Sequence, residues 1–149
     1  MTTLNFLIVD DSPVIRLMLT QALVRHQVDP DHIWDAESFH EAVELFDEVH
    51  PDVVFLDISL PEGRPSRSGP GSFLDYLTGP AAHRSVGDAA VRHMRDRNPA
   101  VRIVLCTGNP PEDPRVQELL AEGATRLVEK PIDLEVIGAV LRSLDAPPR

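Results

Sequence analysis

The chain has 149 residues, 42% apolar and 26% charged, and a formal net charge of −10. That length suits one domain with a real core and no staples, and the single cysteine, Cys106, excludes an internal disulfide. The acidic balance argues against nucleic acid and anionic lipid as partners, no apolar run reaches the roughly eighteen residues of a membrane span, and no signal-peptide pattern opens the chain, so a cytoplasmic protein is expected.

Asn5 to Val9 (NFLIV) reads as the first strand, a short continuous apolar run that stops at charges. Ser12 caps the helix that follows, with Pro13 at its first position, where a missing N–H costs nothing. Ile15, Met18, Leu19, Ala22 and Leu23 then recur at helical spacing. A weaker run, His32 to Asp35, reads as the second strand. Ser38 with Glu41 three residues later reads as a capping box for the second helix, which His50-Pro51 stops. Val53 to Leu56 (VVFL) reads as the third strand.

Residues 61–86 break the rhythm. They are rich in Gly, Pro and Ser, and they exceed the usual strand-to-helix connection by roughly twenty residues. Inside them, Ser72 to Leu77 (SFLDYL) has the length for one or two helical turns. Asp88 to Arg97 reads as the third helix, closed by Asn98-Pro99. Arg102 to Cys106 (RIVLC) reads as the fourth strand, with Cys106 as a buried, inert thiol. Asp113 to Ala121 reads as the fourth helix, with Gly123 near its stop. Thr125 to Glu129 reads as the fifth strand, and Asp133 to Leu144 as the fifth helix, capped by Asp133. A frayed tail is expected over 146–149.

Strands with continuous rather than alternating apolarity are covered on both faces. Five of them alternating with five helices imply an α/β fold: a parallel sheet with helices on both sides. Ligands of such sheets bind outside the carboxyl ends of the strands. Here those ends carry Asp10-Asp11, Asp57, Thr107 and Glu129-Lys130. Any one of these is ordinarily a cap or turn residue; the functional reading comes from all four falling at the same end. Three converging carboxylates must protonate or share a cation. An all-oxygen ligand set favours Mg²⁺. A carboxylate can act as a nucleophile toward phosphorus, and Lys130 and Thr107 supply charge and a hydroxyl for a phosphoryl group at the centre.

The segments FLIVDDSPVIR, HPDVVFLDISLP, IVLCTGN and ATRLVEKP resemble, in order, those of the receiver domain of two-component response regulators. The resemblance covers nearly the whole chain except 62–86, which family members normally lack. It implies a flavodoxin-like doubly wound sheet of order 2-1-3-4-5, forming one domain over 1–145 with an insertion at about 62–86. It implies Asp57 as the phosphoacceptor, Asp10 and Asp11 as the pair that holds Mg²⁺ with Asp57, and the backbone carbonyl of Ser59 as a further ligand. Thr107 is then the hydroxyl that turns toward the phosphoryl group, and Lys130 the lysine that pairs with it, followed by a cis peptide to Pro131. Ser59 and Asn109 match positions that tune hydrolysis of the phosphoryl group. Gly87 matches a glycine that precedes the third helix.

Leu127 departs from the pattern: the family usually places Tyr or Phe there, as the aromatic part of its switch. The implied function is acceptance of a phosphoryl group from a histidine kinase or phosphotransfer protein and relay to an unknown downstream protein, without enzymatic turnover beyond self-dephosphorylation. An alternative is a receiver-like binding module that uses 62–86 and is phosphorylated little or not at all. A third reading, a phosphatase with an aspartyl nucleophile, fits poorly, because Asp57 is followed by Ile58-Ser59 with no second acid two residues on.

Overall fold

The computed structural model describes residues 4–60, 86–130 and 132–144. Five strands and five α-helices alternate along these residues: β1 (Phe6–Val9), α1 (Pro13–Arg25), β2 (Ile33–Ala36), α2 (Phe39–Val49), β3 (Val53–Asp57), α3 (Val86–Arg97), β4 (Arg102–Thr107), α4 (Pro114–Glu122), β5 (Arg126–Glu129) and α5 (Leu134–Leu144). A 3-10 turn at Pro30–His32 leads into β2. All strand pairs are parallel, in the order β2-β1-β3-β4-β5, which is the flavodoxin-like arrangement anticipated from the sequence.

The sheet is sealed on both faces, and strand alternation decides which residue goes where. Leu7, Val9, Val54, Leu56, Ile103 and Leu105 join a core with Phe39, Phe46, Ala90 and Met94 of α2 and α3. Their neighbours Phe6, Ile8, Val53, Phe55, Val104 and Cys106 point the other way, into a core with Leu19 and Leu23 of α1 and Ile137 of α5. The three central strands therefore bury nearly every residue, whereas β2 and β5 at the edges are half-exposed. Phe6 and Phe55 stack across β1 and β3 with ring centroids 6.5 Å apart.

The helix starts follow the capping chemistry. Ser12 Oγ accepts the Ile15 N–H ahead of α1, and Ser38 Oγ accepts the Glu41 N–H ahead of α2. The reciprocal half of the capping box differs, since Glu41 Oε2 accepts the N–H of Glu37 rather than that of Ser38. Asp113 and Asp133 cap α4 and α5. His50 closes α2 at φ 51°, and Gly123 closes α4 at φ 128°, a backbone that L side chains rarely adopt. Gly87, expected just before the third helix, lies inside the first turn of α3.

The Ser72 to Leu77 run, the tail and the peptide to Pro131 fall outside the described residues; so does the expected insertion, except at Val86. Among the described residues, no helix is long and apolar enough to cross a membrane.

Candidate functional site

Strand register brings the predicted residues together. Val9 pairs with Leu56, so Asp10 leaves β1 level with Asp57 at the end of β3. Asp57 pairs with Cys106, and Thr107 pairs with Glu129. Lys130 follows one residue later, its N–H donating to the Thr107 carbonyl at 2.7 Å.

Three of these strand ends turn in the same way. The side-chain oxygen of the last residue accepts the backbone N–H two positions on: Asp10 Oδ1 from Ser12 at 2.9 Å, Asp57 Oδ1 from Ser59 at 3.0 Å, and Thr107 Oγ1 from Asn109 at 2.9 Å. Asx and Ser/Thr turns of this kind fix the side chain against its own loop. The chain leaves the sheet here, and the oxygens are held at its edge.

The carboxylate oxygens of Asp10, Asp11 and Asp57 lie within 4.8 Å of one another. Asp10 and Asp57 are buried, and Asp11 is exposed. The Lys130 ammonium donates to Asp10 Oδ2 at 3.0 Å and lies 3.5 Å from Asp57 Oδ2. Among the described residues, one ammonium faces three carboxylates at close range, a deficit of positive charge. An all-oxygen donor set with that deficit fits a hard divalent cation.

Burial pushes the Asp57 carboxyl above its ordinary range. The Ser59 N–H and Lys130 oppose that rise, while Asp10 and Asp11 add to it. For Lys130, burial works against the charged form but is outweighed by the hydrogen bond to Asp10 and by the charge of Asp57, so its ammonium is held more tightly than usual. Behind the site, burial pushes the Cys106 thiol up to about 12, which makes it the inert core residue anticipated.

Asp10, Asp11, Asp57, Ser59, Thr107 and Lys130 come together at this edge. Ser59 is exposed with its N–H engaged by Asp57. Leu127 is partly buried in β5 against the core under α2 and α3. Two arginines were not anticipated as site residues. Arg16 of α1 donates to the Asp10 carbonyl at 2.6 Å and to Asp35 at 3.0 Å, strapping β1, β2 and α1 together. Arg115 of α4 donates to the Ile58 carbonyl at 2.8 Å. Arg16 carried a faint signal, since it falls within the FLIVDDSPVIR segment. Arg115 carried none.

The family profile for the response regulator receiver domain matches residues 6–67, a span that holds Asp10, Asp11, Asp57 and Ser59. Over that span the chain is similar to the receiver domain of response regulators. The chain is 26% identical over 132 residues to the chemotaxis protein CheY of Listeria monocytogenes, covering 89% of this chain and 90% of that protein. It is 29% identical over 143 residues to the regulatory protein AtoC of Escherichia coli, covering 95% of this chain but 25% of AtoC. Among solved structures it matches a CheX–CheY–BeF3–Mg²⁺ complex from Borrelia burgdorferi with a TM-score of 0.72 at 21% identity, covering 97% of this chain and 90% of that chain. Thr107 and Lys130 lie beyond the matched profile, and the fold brings them to the same edge.

Proposed function

We propose that Asp57 is the residue that takes the phosphoryl group and that Asp10, Asp11 and Lys130 serve the transfer. The observation that carries this is the setting of the Asp57 carboxylate. One oxygen is fixed by the Ser59 N–H, and the other faces Lys130 beside two further carboxylates. The oxygen not engaged by Ser59 forms the new O–P bond. The bond from phosphorus to the donor nitrogen of a phosphohistidine breaks, and its electron pair leaves with the imidazole. Lys130 neutralises charge on the transferred oxygens. Thr107, its hydroxyl held by the Asn109 N–H, lies at the adjoining strand end to meet the acyl phosphate.

Asp10, Asp11 and Asp57, with the Ser59 carbonyl, would hold Mg²⁺, whose charge when bound would offset both the carboxylate repulsion and the phosphoryl oxygens. Before the metal binds, Lys130 holds Asp10 and leaves Asp57 the less compensated partner. Ser59 and Asn109 border the acyl phosphate and set how fast water hydrolyses it, which ends the signal without a separate phosphatase. Leu127 offers no aromatic ring to swing, so the relay depends on Thr107 and the loop 108–113. The donor is a histidine kinase or phosphotransfer protein in the cytoplasm. Val14, Leu17 and Met18, exposed on the helix that begins two residues after Asp11, supply an apolar face for it to meet.

The test is direct labelling. Acetyl phosphate with Mg²⁺ should add one phosphoryl group by intact mass, in an adduct removed by hydroxylamine as an acyl phosphate is. Asp57→Asn should stay unlabelled under the same conditions. Equal labelling of that variant means that another residue is the acceptor.

A further inference from the structure

The Ile58–Ser59 peptide has one neighbour at each end. Its N–H, on Ser59, donates to Asp57 Oδ1 at 3.0 Å. Its carbonyl, on Ile58, accepts from Arg115 Nη2 at 2.8 Å. The guanidinium, the peptide and the carboxylate therefore form one continuous chain of hydrogen bonds. We propose that Arg115 is a positioning residue for Asp57, acting through this single peptide group. The idea rests on the reading of Asp57 as the acceptor.

Two physical effects run along the chain. The first is mechanical. A peptide is planar, so fixing its carbonyl fixes the direction of its N–H. The Ser59 N–H sets the rotation of the Asp57 side chain, and with it the direction of the oxygen left to react. Burial of the Ile58 and Leu60 side chains anchors the chain on either side of exposed Ser59, and the Arg115 bond holds the peptide between Ile58 and Ser59 itself. The second effect is electronic. A cation on a carbonyl draws charge toward the oxygen and makes the N–H of the same peptide a better donor, as in other polarised hydrogen-bond chains.

The placement of Arg115 supports a specific task. It is the second residue of α4, after Pro114, and its own N–H is taken by the Asp113 cap at 2.8 Å. A positive side chain in the first turn opposes the helix dipole, which favours acids there. Helix stability alone gives no reason for an arginine at this position. The reach of its side chain across to the β3 exit does. The turn ahead of α4 is pinned a second time, by Gln117 Nε2 donating to the Pro111 carbonyl at 2.6 Å, so the base of the Arg115 arm is steady.

Arg115→Met removes the donor and keeps the apolar stem, while Arg115→Lys keeps a cation that reaches the carbonyl without the planar fork. In Arg115→Met, the Ser59 amide proton should move upfield in the NMR spectrum and exchange faster, because its acceptor is held less firmly. The maximal rate of labelling by acetyl phosphate with Mg²⁺ should fall about tenfold, the scale seen when a supporting hydrogen bond behind a reacting group is lost. The acetyl phosphate concentration giving half that rate should stay unchanged. Arg115→Lys should recover part of both effects. An arginine that only stabilised α4 would lower the urea midpoint and leave the Ser59 amide where it is.

An unmoved Ser59 amide in Arg115→Met overturns the proposal, whatever happens to the rate. A moved amide with an unchanged labelling rate also overturns it, because the peptide then has no hold on reactivity. If the parent protein does not label at Asp57, the acceptor reading fails separately. The Ser59 amide still reports whether Arg115 orders that peptide.

Discussion

β1 and β3 are neighbours in the sheet, and each ends in a buried aspartate whose Oδ1 accepts the N–H two residues on. The resemblance stops at the other oxygen. Asp10 Oδ2 receives Lys130 at a full hydrogen-bond distance of 3.0 Å, and Asp57 Oδ2 faces the same ammonium at 3.5 Å. The Asp10 backbone is also held at both ends, its N–H by the Ala36 carbonyl and its carbonyl by Arg16. Asp57 carries the unfavourable side of its burial, with its carboxyl pushed up in spite of Lys130. Two like side chains in like turns are thus made unequal by the placement of one cation. The satisfied one is suited to hold a ligand in place. The other has most to gain from a metal or a new bond.

Moving that cation should have the largest effect on this asymmetry. Lys130→Met removes the ammonium that both aspartates share. Labelling by acetyl phosphate should slow about 100-fold, the usual scale for losing a positioned charge that stabilises a transition state. Single-turnover labelling at saturating Mg²⁺ measures this. A rate within twofold of the parent, a margin of about 0.4 kcal/mol, would mean that Lys130 serves only to hold Asp10.

A smaller effect is expected from the exposed member of the cluster. Asp11 shares the oxygen triangle but has neither burial nor a lysine contact at hydrogen-bond distance among the described residues. Asp11→Ala should weaken Mg²⁺ binding about 10- to 100-fold, measured calorimetrically with the metal alone. It should leave the metal-free fold as stable or more so, because one like charge is gone. Unchanged affinity would place the cation away from the β1 end.

Much of this was legible in the sequence. Central strands of a parallel sheet must be apolar throughout, so NFLIV, VVFL and RIVLC stood out, and the polar residues that end them, Asp10-Asp11, Asp57 and Thr107, marked the functional edge. The edge strands β2 and β5 bury less, which is why His32 to Asp35 gave only a weak signal and its boundaries fell one residue early. Pro30–His32 is too short for periodicity to show. The unequal sharing of Lys130 between Asp10 and Asp57 is a difference of half an ångström, and no spacing encodes it. The Arg115 bond joins positions 57 apart through a backbone carbonyl, so neither residue type marks it.

The last test uses pH, and its sign follows from the direction of the Asp57 shift. A carboxyl whose folded value lies above its ordinary 3.8 binds its proton more tightly in the folded chain than in the unfolded one. Between those two values the folded state holds more protons, so stability falls as pH rises through that window. The contribution is fully present below 3.8 and is lost once the pH passes the raised folded value. Asp57→Asn cannot ionise, and its amide oxygen still accepts the Ser59 N–H. Without metal, the variant should therefore gain on the parent steadily from about pH 4 upward and hold a constant advantage once the pH has passed the raised folded value. Urea midpoints of both proteins across that range give the difference directly; carboxylates remote from the site cancel from it, and the repulsion of Asp57 by Asp10 and Asp11 is part of the difference. Saturating Mg²⁺ should shrink or erase the advantage, because the cation binds the site with the ionised Asp57 more tightly than the site with Asn and so stabilises the parent more. A difference that is flat with pH would mean that the Lys130 attraction already balances the burial of Asp57, and that the two strand ends are more alike than their geometry indicates.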